Sequence, residues 1–259
     1  MAPHVELAAL RDTTAIPPLI LAKVNCFLKS NLIFQPENQK IITDLMNDST
    51  DTTGWITNAA GTYMNTCNGK TFFGGYPNFG KTVYAWKNYT ELPLPHYQVS
   101  INVQLFFIDS WDDETYYVKV DDTIVYQEMY YTSNGEVDYC GRSGNYKDQI
   151  KTVTSNPLAH IAPSLVLNFT NNLDESGSDE SFGFNNIQII VDLCHPACSA
   201  CTGPSNADCS SCNSGWYLEG TTCNTTCSLP GKYANSTTNK CEGIKHDSFS
   251  WINIFKYSM

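Results

Sequence analysis

Apolar and polar residues alternate along much of this chain, and they do so most regularly over residues 97–108, which read YQVSINVQLFFI. A period of two places successive side chains on opposite faces of an extended strand. One face would carry Tyr97, Val99, Ile101, Val103, Leu105 and Phe107, and the other Gln98, Ser100, Asn102 and Gln104. The segment is therefore predicted to be a half-buried antiparallel strand.

The same alternation recurs in three other places. Tyr116–Val120 and Ile124–Tyr126 flank Asp121-Asp122, which predicts a hairpin with that pair in its turn. Residues 164–170 (SLVLNFT) alternate with Asn168 on the polar side, and residues 186–192 (NIQIIVD) form the last predicted strand.

Helical periodicity is almost absent, and residues 38–47 fit either a short helix or another strand. Many strands and Gly, Asn and Asp turns, with no regular exchange of strands and helices, predict a mainly β fold of the β-sandwich, jelly-roll-like kind. We assign residues 32–193 to this sandwich and residues 1–31 to a leader or disordered arm. Residues 194–242 form a small cysteine-rich segment, and residues 243–259 a tail.

The cysteine-rich segment contains most of the cysteines of the chain. They are Cys194, Cys198, Cys201, Cys209, Cys212, Cys223, Cys227 and Cys241. Small polar residues separate them, so the segment has too few aliphatic side chains for a hydrophobic core. Disulfides are the expected substitute, and they indicate folding in an oxidising lumen and display outside the cell. The alternative is a zinc site built from the two C-x2-C pairs, which the flanking cysteines oppose.

Two further cysteines, Cys67 and Cys140, fall inside the predicted sandwich. In a secreted chain we expect them to form a disulfide, and the alternative is a pair of buried free thiols. Cys26 is then the odd cysteine, lying in the leader or pairing with another chain.

Charge and sequons agree with an extracellular protein. The net charge is −11, from 15 Lys and Arg against 26 Asp and Glu, which argues against nucleic acid and anionic membranes as partners. No apolar run approaches the length of a membrane span. Five N-x-S/T sequons predict glycosylation at Asn47, Asn88, Asn168, Asn224 and Asn235.

The segment CHPACSACTGPSNADCSSCNSGWYLEGTTCNTTC resembles the furin-like, growth-factor-receptor cysteine-rich repeat. In that family C-x2-C, a Gly-Pro turn and a second C-x2-C precede a Gly-aromatic-Leu stretch. The resemblance implies an interlaced pair of bridges, Cys198–Cys209 and Cys201–Cys212, and a separate loop closed by Cys227–Cys241. The family also contains single-bridge modules, so Cys212–Cys223 competes. Such repeats form rods that space and present other domains.

Acidic turns give the sequence its candidate metal site. Asp109, Asp112, Asp113 and Glu114 directly follow the strand at 97–108, and Asp179 and Glu180 precede the last strand. If these two strands are antiparallel neighbours, both turns share one rim of the sandwich. Clustered carboxylates suit Ca²⁺, although the EF-hand spacing is absent. The alternative is two ordinary solvated turns.

The strand, acidic turn and late Gly-aromatic strand (HY…IDSWD…VD and SFGFNNIQI) resemble galactose-binding-type sandwiches. They are also similar to secreted cysteine-rich surface proteins of single-celled eukaryotes, in which such a domain precedes furin-like repeats. The resemblance implies no catalytic residue.

Aromatic residues near the acidic turn and in the loop GGYPNFG are candidate sugar ligands, because aromatic rings pack on the apolar face of a pyranose. The candidates are Tyr76, Phe79 and Trp111. The alternative is that they belong to the core. No metalloprotease, nucleophile-elbow or phosphate-loop motif occurs, so an enzyme is not expected.

Together these patterns predict a non-enzymatic extracellular glycoprotein that serves as a structural or adhesive component of a surface or matrix. Its partners would be other surface glycoproteins or itself. The alternative is a calcium-dependent carbohydrate- or ligand-binding ectodomain of a receptor. No cofactor is required by either interpretation apart from the calcium of the second.

Overall fold

The computed structural model describes residues 38–46, 52–61 and 63–244. The leader at 1–31, Cys26, the sequon at Asn47 and the tail after residue 244 lie outside the described residues. Within them the chain is almost entirely β, apart from two single 3₁₀ turns at Thr132–Asn134 and Asn206–Asp208. None of these elements is a helix of the length and hydropathy needed to cross a bilayer.

Two antiparallel sheets form a sandwich, as the alternating pattern predicts. Their strands are β1 (Gln39–Asp44), β2 (Trp55–Thr57), β3 (Met64–Cys67), β4 (Lys70–Gly74), β5 (Ala85–Tyr89), β6 (His96–Asp109), β7 (Asp112–Val120), β8 (Thr123–Tyr131), β9 (Gln149–Thr154), β10 (Leu158–Ala159), β11 (Leu165–Asn171) and β12 (Glu180–Leu193). Sheet A has the order β10-β6-β12-β4-β3, with β1 also on β12 and β9 also on β6. Sheet B has the order β2-β5-β11-β7-β8. The ambiguous segment at 38–47 contains the strand β1.

The core lies between the sheets and is rich in aromatic rings. Val99, Ile101, Val103, Leu105 and Phe107 of β6 are buried, whereas the intervening polar residues up to Gln104 are half-exposed, as the alternation predicts. Phe169 of sheet B stacks on Phe184 of sheet A with ring centroids 3.9 Å apart. Large rings fill the space of about 10 Å between two packed sheets.

A polar clamp joins the sheets at one edge. Asp44 at the end of β1 accepts hydrogen bonds from Lys87 Nζ (2.8 Å), Tyr89 Oη (2.7 Å) and Trp55 Nε1 (3.3 Å) of sheet B. Because the carboxylate is buried and has three donors, the clamp fixes β1 against the opposite sheet without leaving an unpaired charge.

The cysteine-rich segment forms two small sheets. Its strands are β13 (Cys198–Cys201), β14 (Cys209–Cys212), β15 (Tyr217–Glu219), β16 (Thr222–Asn224), β17 (Lys232–Asn235) and β18 (Lys240–Gly243). The first two strands pair with each other, and the other four follow the order β16-β15-β18-β17. The sulfur atoms, together with Ala197, Trp216 and Leu218, pack against Tyr97 of β6, which joins this segment to the sandwich.

Five disulfides are present in the described residues. Cys67 bonds to Cys140, the pair expected inside the sandwich. The other bridges are Cys194–Cys201, Cys198–Cys209, Cys212–Cys223 and Cys227–Cys241.

The pairing of Cys201 with Cys212, implied by the resemblance to furin-like repeats, is wrong. A turn that begins at His195, whose carbonyl accepts from the Cys198 amide, folds the chain back on itself. This turn leaves the Cα atoms of Cys194 and Cys201 5.6 Å apart, within bridging distance, and Cys212 pairs onward with Cys223. The zinc alternative is also excluded for Cys198, Cys209 and Cys223, because these clustered sulfur atoms belong to two disulfides.

Candidate functional site

The two acidic turns meet at one rim of the sandwich. β6 and β12 are antiparallel neighbours, and Asp109 at the end of β6 lies directly opposite Glu180 at the start of β12. β7 begins only three residues later, at Asp112, and returns in sheet B. The acids that follow one long strand and precede the other are therefore brought together by strand pairing.

Three of the six predicted metal ligands converge. One carboxylate oxygen from each of Asp112, Glu114 and Glu180 lies within 4.8 Å of the others. Asp112 is exposed and Glu114 and Glu180 are buried, so the group has one side toward solvent and one toward the core. The amide of Asp112 donates to Glu114 Oε2 (2.6 Å), which holds the Glu114 side chain in place. We call these three residues the carboxylate cluster.

Glu180 is the most buried member of the cluster, and one of its oxygens lacks a hydrogen bond. It is 1% exposed, and its Oε2 atom has no hydrogen-bond partner. Burial raises the pKa of Glu180 to about 8, and the charges of Glu114, Glu175, Asp112 and Asp174 add to this increase. Burial likewise raises the pKa of Glu114. Buried polar atoms are almost always paired, so an unpartnered oxygen on a carboxylate that lies beside two others indicates a position suited to a cation.

The other three predicted ligands are not part of the cluster. Asp109 accepts from the Arg142 amide (3.0 Å), and the Arg142 guanidinium pairs with Asp179. The same guanidinium donates to Ser110 Oγ (2.9 Å). Asp113 is exposed at a β-bulge of β7, with a φ of 97°. Asp179 thus binds the arginine side chain, Asp109 accepts only its backbone amide, and neither belongs to the cluster.

Arg142 belongs to a strap, residues 132–148, that connects β8 to β9. Asp148 accepts from the amides of Asp109 (2.9 Å), Tyr139 (2.7 Å) and Cys140 (2.8 Å), so the strap is anchored to the rim. Burial raises the pKa of Asp109 to about 7, with Asp148 adding to this increase and Arg142 opposing it. Arg142 and Asp148 are not among the predicted site residues, because nothing in the local sequence pattern places this loop beside the acidic turns.

The aromatic candidates are corrected by the structure. Phe79 and Trp111 are fully buried members of the core, so they are wrong as sugar-stacking residues. Trp111 Nε1 donates to the Ser181 carbonyl (3.0 Å), which supports the rim from below. Tyr76 is half-buried against a small outer cluster that contains Phe72 and Phe106.

A tight turn explains why Phe79 points inward. Gly74 has a φ of 103°, and a Cβ atom there would lie 2.6 Å from the Phe182 carbonyl oxygen. Only glycine fits this position, and the turn brings the loop at residues 75–80 back onto the core.

A pair of buried histidines lies near the start of β6. His96 Nδ1 is 2.6 Å from the Pro93 carbonyl, and its Nε2 is 2.8 Å from His160 Nδ1. His160 Nε2 in turn is 3.2 Å from Asp121. Burial lowers the pKa of His96. Each ring nitrogen has a partner within the fold, which makes the pair a structural link between β6 and the β7–β8 turn.

No protein-family model and no curated protein matches this chain. Among solved structures, the CBM22-1 xylan-binding domain of Xyn10C from Paenibacillus barcinonensis is 13% identical, covers 62% of this chain and all of that domain, and gives a TM-score of 0.39. A CBM36 module in complex with calcium and xylotriose is 8% identical, covers 52% of this chain and 98% of that module, and gives a TM-score of 0.30.

The C-terminal CBM6 of LamC from Zobellia galactanivorans is 12% identical, covers 58% of this chain and 98% of that module, and gives a TM-score of 0.32. At these identities and scores, nothing about the ligand of this chain follows from the similarity.

The raised carboxyl pKa values predict how stability changes with pH when divalent cations are absent. Between its ordinary value of 4.5 and about 8, folded Glu180 keeps a proton that the unfolded chain has released. Stability therefore falls as pH rises, by at most about 1.4 kcal/mol per pH unit for this group. The lowered pKa of His96 makes stability rise with pH below the ordinary histidine pKa of 6.5. The window in which Glu180 can be tested is therefore pH 6.5 to 8.

We expect the Tm in chelator to drop by several degrees across this window, at about 2–4 °C per kcal/mol, and millimolar Ca²⁺ to reverse the drop. Differential scanning calorimetry at several pH values measures it. Glu180→Gln should remove most of the slope above pH 7, where Asp109 contributes least. A flat or rising profile in chelator would contradict the assignment of an ionisable, uncompensated Glu180.

Proposed function

We propose that this protein is an extracellular, non-enzymatic module that binds carbohydrate through a Ca²⁺ ion held by Asp112, Glu114 and Glu180. The observation that carries the proposal is the buried Glu180 side chain, which has an unpartnered Oε2 atom and one carboxylate oxygen within 4.8 Å of oxygens from two other carboxylates. The five disulfides among the described residues support an extracellular setting, because such bridges persist in oxidising compartments.

Calcium fits the carboxylate cluster better than magnesium. Ca²⁺ accepts six to eight oxygen ligands in flexible geometries, whereas Mg²⁺ demands near-ideal octahedral geometry and keeps several waters. Glu180 would supply its unpartnered oxygen, Glu114 its second oxygen beside the Asp112 amide contact, and Asp112 a ligand from the solvent side.

Carbohydrate is the ligand class that this arrangement suits. One oxygen from each of the three carboxylates gives fewer ligands than the six to eight that Ca²⁺ accepts, and the exposed position of Asp112 leaves the remaining ligand positions toward solvent. Neighbouring hydroxyl groups of a sugar offer a pair of neutral oxygens for these positions. A module of this kind, held out on a disulfide-braced segment, would act as an adhesive component of a surface or matrix.

Calcium titration and a glycan array test the proposal together. We expect the protein to bind Ca²⁺ with a Kd on the order of 10⁻⁴ to 10⁻³ M, the range of extracellular calcium modules. Glycans should be retained in Ca²⁺ and released by chelator. Glu180→Gln should weaken Ca²⁺ binding at least about tenfold, equivalent to about 1.4 kcal/mol, and abolish glycan retention.

Asp113→Asn is the matched control, because it removes one carboxylate charge from the other acidic turn of the same rim, at an exposed residue outside the cluster. It should leave Ca²⁺ and glycan binding almost unchanged. Glu180→Gln should also stabilise the calcium-free protein at pH 8, so its loss of binding is distinguishable from misfolding. Glycan binding that persists in chelator would overturn the role of calcium, and the lack of any glycan ligand would overturn the carbohydrate function.

Self-assembly is a second candidate function. Ile56, Ile124 and Met129 on sheet B are 48%, 46% and 64% exposed. Ile56 lies on one edge strand of this sheet, and Ile124 and Met129 lie on the other. Sedimentation velocity over a range of concentrations would show concentration-dependent association if this face joins two copies of the chain.

A further inference from the structure

One row of side chains crosses the whole outer face of sheet B. Ile56 of β2, Trp86 of β5, Asn168 of β11, Lys119 of β7 and Ile124 of β8 are successive Cα partners. Their sequence neighbours, including Ala85, Leu167 and Val118, are buried between the sheets, so the row itself faces outward. Directly opposed residues in an antiparallel pair have Cβ atoms about 4.5–5.5 Å apart. Asn168 therefore has Trp86 on one side and Lys119 on the other.

Two sequons place their asparagines on this face. Asn168 is the acceptor of Asn168-Phe169-Thr170, and Asn88, two residues after Trp86, is the acceptor of Asn88-Tyr89-Thr90. Asn88 is exposed and opposite Val166, in the next outward row of the sheet. Side chains alternate along a strand, so Trp86 and Asn88 share one face, as do Val166 and Asn168.

The side-chain amide of Asn168 differs from that of Asn235, the acceptor of a sequon in the cysteine-rich segment. The Oδ1 atom of Asn168 has no hydrogen-bond partner although it is buried beneath its neighbours. In contrast, Asn235 Nδ2 donates to Glu242 Oε2 (2.8 Å), and Asn235 Oδ1 accepts from the Thr237 amide (2.9 Å). The amide of Asn235 is thus occupied by its own fold, whereas that of Asn168 is not held in this way.

We propose that N-linked glycans on Asn168 and Asn88 cover the outer face of sheet B, and that the first sugar on Asn168 packs against the Trp86 indole. A pyranose ring presents an apolar face that suits an indole, and its hydroxyl and acetamido groups suit Lys119 and the Asn168 amide oxygen. The glycan would shield the exposed apolar residues Ile56 and Ile124 at the ends of the row. This proposal rests on passage through an oxidising secretory lumen and is independent of the calcium site.

The modification is a group transfer from a polyprenyl-diphosphate-linked oligosaccharide. The bond between sugar C1 and the diphosphate oxygen breaks, and the polyprenyl diphosphate departs with the electron pair. A new bond forms between C1 and Asn168 Nδ2, which gives up one proton. The transfer must precede pairing of β11 with β5 and β7, because Asn168 lies in the middle strand of sheet B in the folded protein.

The experiment uses protein secreted from eukaryotic cells and maps the glycans by mass spectrometry. We expect Asn168 and Asn88 to be occupied in the folded product. Asn168→Gln should increase the binding of an apolar dye several-fold and lower the Tm. Asn235→Gln is the control for dye binding, which it should leave unchanged, because the hydrogen bonds it removes lie in the cysteine-rich segment. Trp86→Ala should leave Asn168 occupied but lower the Tm, and combining it with Asn168→Gln should add little further loss, since both remove one contact.

Enzymatic trimming provides a second measurement in case Asn168→Gln is not secreted. Trimming the wild-type glycans to their first sugar should preserve the Tm, whereas complete removal should lower it. The proposal is overturned if Asn168 is unmodified in folded, secreted protein. It is also overturned if the Asn168→Gln and Asn235→Gln variants behave alike, or if two copies of the chain bury this face against each other.

Discussion

Replacing all eight cysteines from Cys194 to Cys241 by serine is expected to unfold residues 194–243 completely and to leave the sandwich strands β1–β12 folded. The apolar cluster of this segment consists mainly of half-cystines, to which Ala197, Trp216 and Leu218 add little area. Without the bridges, the segment has no other core that would offset the entropy of ordering its backbone.

The chain-entropy model gives the size of the effect. The four bridges span 7, 11, 11 and 14 residues. Each closed loop of this length restricts the unfolded chain by about 2–3 kcal/mol, so four of them contribute roughly 10 kcal/mol if they act independently. That sum is comparable to the whole stability of a typical domain, which is about 5–15 kcal/mol.

Hydrogen exchange by mass spectrometry measures this outcome, because it follows the two regions separately in one sample. Amides of β13–β18 should exchange at the rate of an unfolded chain, while those of β6 and β12 stay protected. Cys227→Ser with Cys241→Ser is the control, since that bridge closes a separate loop and its loss should release only β17 and β18. Protected amides in β13 and β14 of the eight-serine variant would show that side-chain packing, not sulfur, holds this segment.

The sequence predicts the sandwich because its signal is local. Alternation in β6 correctly identifies Val99 to Phe107 as the buried face, and it requires no knowledge of neighbouring strands. Sheet order is not local: β12 pairs with β1, β4 and β6, which come from three distant parts of the chain. No pattern within a strand specifies such partners.

The difference between local patterns and long-range contacts also explains why only part of the candidate site could be predicted from the sequence. Both acidic turns are visible in the sequence, but the sequence does not show which acids converge. That depends on Arg142 of the strap, whose amide donates to Asp109 and whose guanidinium pairs with Asp179. Phe79 and Trp111 were misplaced for a different reason. Aromatic residues beside glycines and aspartates look exposed in sequence, yet two packed sheets need large rings to fill the gap between them.

Replacing Cys67 and Cys140 by serine is expected to destabilise the sandwich by about 4 kcal/mol, because the bridge closes a loop of 73 residues in the unfolded chain. It joins β3 to the strap, over an outer cluster in which Phe72 and Phe106 stack with centroids 4.2 Å apart. Unlike the cysteine-rich segment, the sandwich has a large core, so we expect a less stable fold and not an unfolded chain.

The variant should also change the rim, because Cys140 is two residues from Arg142. Its amide and that of Tyr139 donate to Asp148, and these bonds, with those of Arg142 to the rim, would then hold the middle of the strap. We expect strap amides to exchange faster and Asp109, now less buried, to titrate nearer its ordinary value of 3.8 than the wild-type value of about 7. Urea denaturation measures the stability, and carboxyl-resolved NMR titration measures the pKa.

Asp148→Asn separates the contribution of the hydrogen bonds that anchor the strap from that of the Cys67–Cys140 disulfide, since it weakens the bonds and retains the disulfide. It should accelerate exchange in the strap yet cost less stability than the double serine variant, because the 73-residue loop stays closed. An unchanged urea midpoint in the double serine variant would mean that the strap is held by its hydrogen bonds and ion pairs alone. The bridge would then contribute nothing to the rim that carries the carboxylate cluster.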